Sequence, residues 1–200
     1  MTDQVWSVGL DLSLTSTGIA AIECESGSVF STTVTSKGKA DASLADQWRR
    51  LGRLRNEIVG KVNQVRPSIV VVESAFFGTR HDSSAHRRAG LWWQVVGELL
   101  NAGYPVIPVA PTEVKKFATG KGNCTKDAVV ARCVTVWGEK ALEGSFNDAA
   151  DALFLAAIGA FTAGHAVGLE DTNYRKKIVE QIRQRTAVLN VYAVSYTHLT

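Results

Sequence analysis

The chain has 200 residues, 46% of them hydrophobic and 20% charged, with a formal net charge of +3. This composition excludes a disordered or low-complexity chain, suits one domain with a sizeable core, and contains no apolar run long enough to cross a bilayer. The start MTDQVWS lacks a basic, apolar signal character, so the expected location is the cytoplasm, and Cys24, Cys124 and Cys133, odd in number and without metal-ligand spacing, read as reduced packing thiols.

The first element, Val5–Gly18 (VWSVGLDLSLTSTG), reads as a strand that ends in a carboxylate and breaks into a polar turn. Strand alternation puts Trp6, Val8 and Leu10 on one face and Ser7, Gly9 and Asp11 on the other. IAAIECE follows as a second strand, Ser26 and Gly27 as a hairpin turn, and VFSTTVT as a third strand, which predicts an antiparallel meander. Lys37–Asp41 is polar loop. From Ser43 to Val65 the apolar positions Leu44, Trp48, Leu51, Leu54, Ile58, Val62 and Val65 step by three and four, predicting an amphipathic helix with its arginines mostly outward, ended by Pro67.

Ser68–Glu73 then reads as a short buried strand ending in acid, entered by a crossover, and 74–83 as a loop with adjacent phenylalanines. The helix predicted over 84–102 is too broadly apolar for one wet face, so it is either sandwiched inside the fold or shared with a second subunit. Pro105–Val109 is a fifth strand, Pro111 opens a short helix that the glycines at 120 and 122 break, and Thr125–Trp137 and Ser145–Ala163 are further helices. Asp171–Arg185 is a charged helix candidate. The terminal AVSYTHLT fits no periodicity and is set aside as a tail of the cloning-scar kind.

Four acids sit at the ends or starts of elements that look central to one core: Asp11, Glu73, Asp148 and Asp151. Taken alone, Asp11 reads equally well as a turn former, and Asp148, three residues after Ser145, as part of a helix-capping arrangement. Asp151 has apolar neighbours on nearly every side, and a buried unpaired carboxylate calls for a cation or a basic partner. Hard divalent cations, Mg²⁺ above all, take such oxygen donors together with phosphate oxygens and water. Basic segments flank these acids: Arg49, Arg50, Arg53 and Arg55, then Arg80, His81, His86, Arg87 and Arg88, then Lys115, Lys116, Lys121 and Lys126. An acidic centre with basic flanks suits a metal-dependent enzyme acting on nucleic acid, although each basic cluster alone also reads as a solvated helix face.

The strand-borne Asp11 with its Ser/Thr turn and Gly18, VVVES at Val70–Ser74, and NDAADALFLA at Asn147–Ala156 resemble, in order and over about Val5–Gly164, the RuvC family of Holliday junction resolvases within the ribonuclease H-like superfamily. The resemblance implies an α/β fold with a five-stranded mixed sheet, three antiparallel strands then two parallel, flanked by helices. It implies that residues 1–165 form the nuclease domain, 166–190 a basic helical extension and 191–200 a tail. It implies that Asp11, Glu73, Asp148 and Asp151 hold two Mg²⁺ ions per active site, with Mn²⁺ as a substitute. Phe76 would enter the junction and stack on a base, loop packing being its plainer alternative. Lys115 and Lys126 would lie by the scissile phosphate or backbone, with Arg80, Lys116 and Lys121 as further DNA contacts. The implied partners are branched DNA and a second copy of the chain, with no membrane, in a bacterial or phage-infected cell.

Leu12 and Ser13 stand where cellular members carry Pro and Gly, which marks a divergent, phage-like member and leaves its sequence preference and any branch-migration partner open. The helix after Asp171 has no clear counterpart in the family. The runner-up is a related nuclease acting on other branched or structured nucleic acid. An actin-like ATPase, suggested by Asp11–Gly18, would need a second phosphate loop and a second domain of the same kind.

Overall fold

In a computed structural model the chain is described over residues 4–39, 41–75 and 84–196, with side chains as far as Thr186. Strands β1 (Trp6–Asp11), β2 (Ser16–Glu23) and β3 (Val29–Thr35) form the expected meander, and helix α1 (Leu44–Val65) crosses over to β4 (Ile69–Glu73). Helix α2 (Ala85–Asn101) leads to β5 (Val106–Val109), and then come α3 (Pro111–Thr119), α4 (Lys126–Trp137), α5 (Phe146–Thr162) and α6 (Asn173–Tyr196). The sheet order is β3-β2-β1-β4-β5. β1 pairs antiparallel with β2 and parallel with β4, and β4 pairs parallel with β5.

Each sheet face has its own core. Val8, Leu10, Val70 and Val72 pack with Leu54, Ile58, Val62, Leu91 and Val95 of α1 and α2. Ala20, Ile22 and Val71 pack on the other face with α3, α4, α5 and the first half of α6. This follows from strand alternation, which sends successive side chains to opposite layers.

Small residues bring α5 unusually close to the sheet. A Cβ on Gly9 would stand 2.0 Å from the Ala152 carbonyl oxygen, and one on Gly18 would stand 2.1 Å from that of Asp148. Farther along, Gly159 sits on Ser7, whose Oγ donates to the Ala156 carbonyl at 2.7 Å. Thus α5 runs antiparallel to β1, with its N-terminal turn over the strand end that carries Asp11.

Two elements, β2 and α6, differ from expectation, and for α2 one of two expected alternatives falls away. β2 begins at Ser16, because the turn after Asp11 is closed early: Ser13 N–H donates to Thr17 Oγ1, which itself donates back to the Ser13 carbonyl. Helix α2 is not sandwiched, since Leu91, Val95, Val96 and Leu99 are buried while Trp93 and Leu100 are 63% and 53% exposed. Helix α6 continues past Arg185 to Tyr196, as a stretch without glycine or proline allows. It is anchored by arginines that cap other helices. The fully buried Arg175 donates from Nε to the Phe117 carbonyl and from Nη2 to that of Ala118, in the last turn of α3. Arg183 likewise reaches the Phe161 and Thr162 carbonyls at the end of α5.

Candidate active site and nucleic-acid interface

The parallel register Leu10↔Val72 sets Asp11 and Glu73 side by side, at the carboxyl ends of adjacent strands and on the same face. On the other side of β1, Asp11 is the register partner of Gly18, and α5 rests on Gly18 through Asp148. A side chain at residue 18 would push this turn away, so the glycine is what admits Asp148 to the neighbourhood of Asp11. Asp151, one turn farther along α5, is buried. In open α/β sheets the carboxyl ends of the strands are where ligands are received.

Asp11, Glu73 and Asp148 line a cleft of about 250 Å³ together with Lys126, Arg88 and Trp92. Ser16 Oγ donates to Asp148 Oδ2 at 2.5 Å, and Trp92 Nε1 donates to the Glu73 carbonyl at 2.8 Å, fixing the strand end against α2. Asp148 lies in the first turn of α5, where the positive end of the helix dipole favours a negative charge. Sequence reasoning did not single out Arg88 and Trp92 for the cleft, nor Ser16 as the partner of Asp148. Ser16 was visible as part of the polar turn, and Arg88 as part of the basic run before α2.

The electrostatics are those of crowded, partly dehydrated acids. Burial, followed by the charges of Glu73, Asp151 and Asp148, pushes the Asp11 carboxyl well above the usual carboxylate range, with Lys126 opposing. Burial and then Asp151 push Glu73 up to about 7, against Lys126 and Lys115. Asp151 is raised by burial and by Asp148, again against these two lysines. Among the described residues no ion pair engages any of the four acids.

Such a donor set, all hard oxygen and carrying surplus negative charge, fits a divalent cation of the Mg²⁺ kind. Among the described residues no group of three or more His, Cys, Asp or Glu side chains is drawn close enough together to hold a metal ion by itself. An open arrangement is what this cation accepts, since it commonly takes one or two protein carboxylates and completes its shell with water and phosphate oxygens.

Of the basic residues singled out in the sequence, Lys115 and Lys126 act on the acids. Lys116 is exposed on α3 and Lys121 on the loop after it, and neither lines the cleft. Phe76, Arg80 and His81 lie outside the described residues. Cys24 and Cys133 are buried free thiols in the core, as their packing role requires, and Cys124 is free and partly exposed.

A mixed sheet of ribonuclease H-like type with carboxylates gathered at its central strand ends, and lysines set against them, defines the class of metal-dependent nucleases. The family described as "Crossover junction endodeoxyribonuclease RuvC" matches residues 7–159, and the chain belongs to that family. A relative so described from Paenarthrobacter aurescens is 30% identical over 166 residues, covering 83% of this chain and 86% of its own. One from Neorickettsia sennetsu is 30% identical over 158 residues, covering 76% and 90%. A shorter match, 28% identical over 107 residues, spans 56% of a Chlorobium phaeovibrioides relative. Among solved structures, Thermus thermophilus RuvC in complex with Holliday junction substrate superposes with a TM-score of 0.64 at 25% identity, over 80% of this chain and 94% of that one. The yeast mitochondrial Holliday junction resolvase shares the fold, with a TM-score of 0.51 at 12% identity over 91% and 83% of the two chains. Helix α6 lies beyond the residues that the family matches.

Proposed function

We propose that this chain is a structure-selective endonuclease that resolves four-way DNA junctions, working as a homodimer with one strand nicked per active site. The observation that carries the reading is the gathering of Asp11, Glu73 and Asp148 in one cleft beside Lys126, with Asp151 buried behind them, in a chain of the RuvC family. Asp11, Glu73, Asp148 and Asp151 would hold the metal, two ions per site, Mg²⁺ with Mn²⁺ as substitute. Bound there, divalent cations supply charge neutralisation and polarise water and phosphate oxygens.

The chain's own residues position the phosphodiester. Lys126 and Lys115 offset the acids and face the incoming backbone, while Arg80, Lys116 and Lys121 make outer backbone contacts that add affinity without reading sequence. Phe76 stacks on a base at the junction centre. Water attacks phosphorus and the bond to the 3′ oxygen breaks, leaving a 5′ phosphate and a 3′ hydroxyl. The exposed Trp93 and Leu100 of α2 supply the apolar surface on which a second copy docks.

Residues 1–165 constitute the nuclease domain, and the protein acts in the cytoplasm of a bacterial or phage-infected cell. Among the described residues no helix is long and apolar enough to cross a membrane. Incubation of the protein with synthetic four-way, three-way, flap and linear DNAs, with and without Mg²⁺, tests the proposal. Paired, Mg²⁺-dependent nicks in the four-way junction are expected. Preferential cutting of flaps or three-way forks would assign the chain to a related branch nuclease instead.

A further inference from the structure

A second concave surface, about 490 Å³ in volume, is tied to the β1–β2 turn of the acidic cleft through Arg50, which donates to the Leu14 carbonyl. It presents six cations, Lys37, Lys39, Arg49, Arg50, Arg53 and Arg87, against one carboxylate, Asp46. Asp46 is already spent on Arg49, at 2.8 Å.

Arg50 forms the floor of this groove. Its Nε donates to Ser36 Oγ at 2.8 Å, and its Nη2 donates to the carbonyls of Ser36 and Leu14. The loop after β3 lies directly on the guanidinium, since a Cβ on Gly38 would stand 2.4 Å from Nη1. Protein oxygens thus hold this arginine under its neighbours. Lys37, Lys39, Arg53 and Arg87 have no hydrogen bond or ion pair from their side chains among the described residues, and the Arg87 Nε is buried without a partner. Four unpaired cations gathered around a fixed fifth repel one another, and a bound polyanion would relieve that repulsion.

Two elements contribute neighbouring residues to the groove side and to the cleft. In the β1–β2 turn, Leu12 and Ser13 line the cleft while the next carbonyl, that of Leu14, is bound from the groove side. At the start of α2, Arg88 lines the cleft and Arg87 the groove. A backbone crossing the turn away from the acids would meet these cations next.

We infer that this groove is a second phosphate-binding surface, taking the backbone of the duplex arm that leaves the cleft across the β1–β2 turn. The inference rests on the reading of the cleft as a DNA-cleaving site. A duplex presents one phosphate charge about every 1.7 Å of its axis, so several neighbouring phosphates face the groove at once. Its contribution is to affinity and to the direction of the arm, not to sequence.

The test uses the double variant Lys39→Ala/Arg53→Ala, both exposed side chains outside any hydrogen bond, in the full chain carrying Asp11→Asn so that binding is read without cleavage. Junction affinity is measured across a salt series, on junctions with long arms and with arms shortened stepwise. The expected result is a log–log salt slope shallower by about 2 and an affinity roughly tenfold weaker on long arms. On the shortest arms the variant and the Asp11→Asn chain should bind alike. A Lys61→Ala/Lys140→Ala chain, changed away from the groove, should keep the Asp11→Asn slope. An unchanged slope in the Lys39/Arg53 variant, or an equal loss on short and long arms, overturns the inference. A chain that cleaves no branched DNA overturns the reading of the cleft, and the groove with it. Junction cleavage combined with unaltered binding by the variant overturns the groove alone.

Discussion

Asp11 is where the conflict between stability and activity is sharpest. Its carboxyl is half-buried beside Glu73, Asp151 and Asp148, and nothing among the described residues pairs with it. Asp11→Asn keeps the shape and removes one of the repelling charges. We predict that it raises the melting temperature of the metal-free protein, abolishes cleavage and leaves junction binding in place. A variant that still nicks junctions at the parent rate would refute the metal-holding role. The same crowding sets a pH dependence. Glu73 is raised from 4.5 to about 7, so between these values the folded chain holds a proton that the unfolded chain releases. Its stabilising contribution is therefore complete below about pH 4.5 and lost as pH rises through 7, on the order of 3 kcal/mol. Melting curves in EDTA should fall across this window, and millimolar Mg²⁺ should recover most of the loss at pH 8. A flat profile in EDTA would contradict the assignment. Of these residues, Asp11, Glu73 and Asp148 are legible in the sequence from their places at the ends and starts of apolar elements. Lys115 was separated from Lys116 by the family resemblance and not by the residues themselves, because adjacent helical residues point about 100° apart and only the packing of α3 decides which one faces the acids.

At the scale of elements, the site exists because α5 can lie against β1 and β2 with almost no side chain between them. Gly9→Ala would drive a methyl group into the Ala152 carbonyl and the Ala156 amide, backbone atoms that cannot step aside. The expected loss is about 3 kcal/mol, the upper part of the usual range for an overpacked core, read as a lowered midpoint in urea denaturation. A substitution tolerated without loss would show that α5 sits farther from the sheet than described. The five strands and the meander followed by a crossover could be read from alternation and turn residues. The contact could not, because small residues announce a close approach only once it is known which element lies opposite. The arginines of α1 look mostly outward by periodicity, and the exception is Arg50, which turns in to bind the carbonyls of Leu14 and Ser36. A long side chain can reach across a helix face that the periodicity assigns to solvent.

For the whole molecule, the decisive question is what covers α2. One side is closed over the sheet through Leu91, Val95 and Leu99, and Trp93 and Leu100 stand exposed on the other. The sequence showed the excess of apolar residues on this helix but left open whether the fold or a second subunit absorbs it. The structure divides it between one buried face and one that is free in the protomer. Trp93→Lys should convert a dimer into monomers in sedimentation experiments. It should also turn paired incisions into uncoordinated single nicks, while the melting temperature of the protomer changes little. Dimers that persist in this variant would move the subunit contact elsewhere.

Helix α6 holds the tails of two helices at once, through Arg175 at α3 and Arg183 at α5. Lys115, which acts on Glu73 and Asp151, rides on one of those helices and Asp148 with Asp151 on the other, so one of the opposing lysines and two of the four acids share a single clamp located outside the cleft. Replacing Arg175 with Met would strand the Phe117 and Ala118 carbonyls and loosen that clamp. The turnover rate on junctions should then drop while junction affinity holds, and parallel drops in both would point to general unfolding instead. A chain built this way can have its cutting speed adjusted from its far side, by changes that never touch nucleic acid.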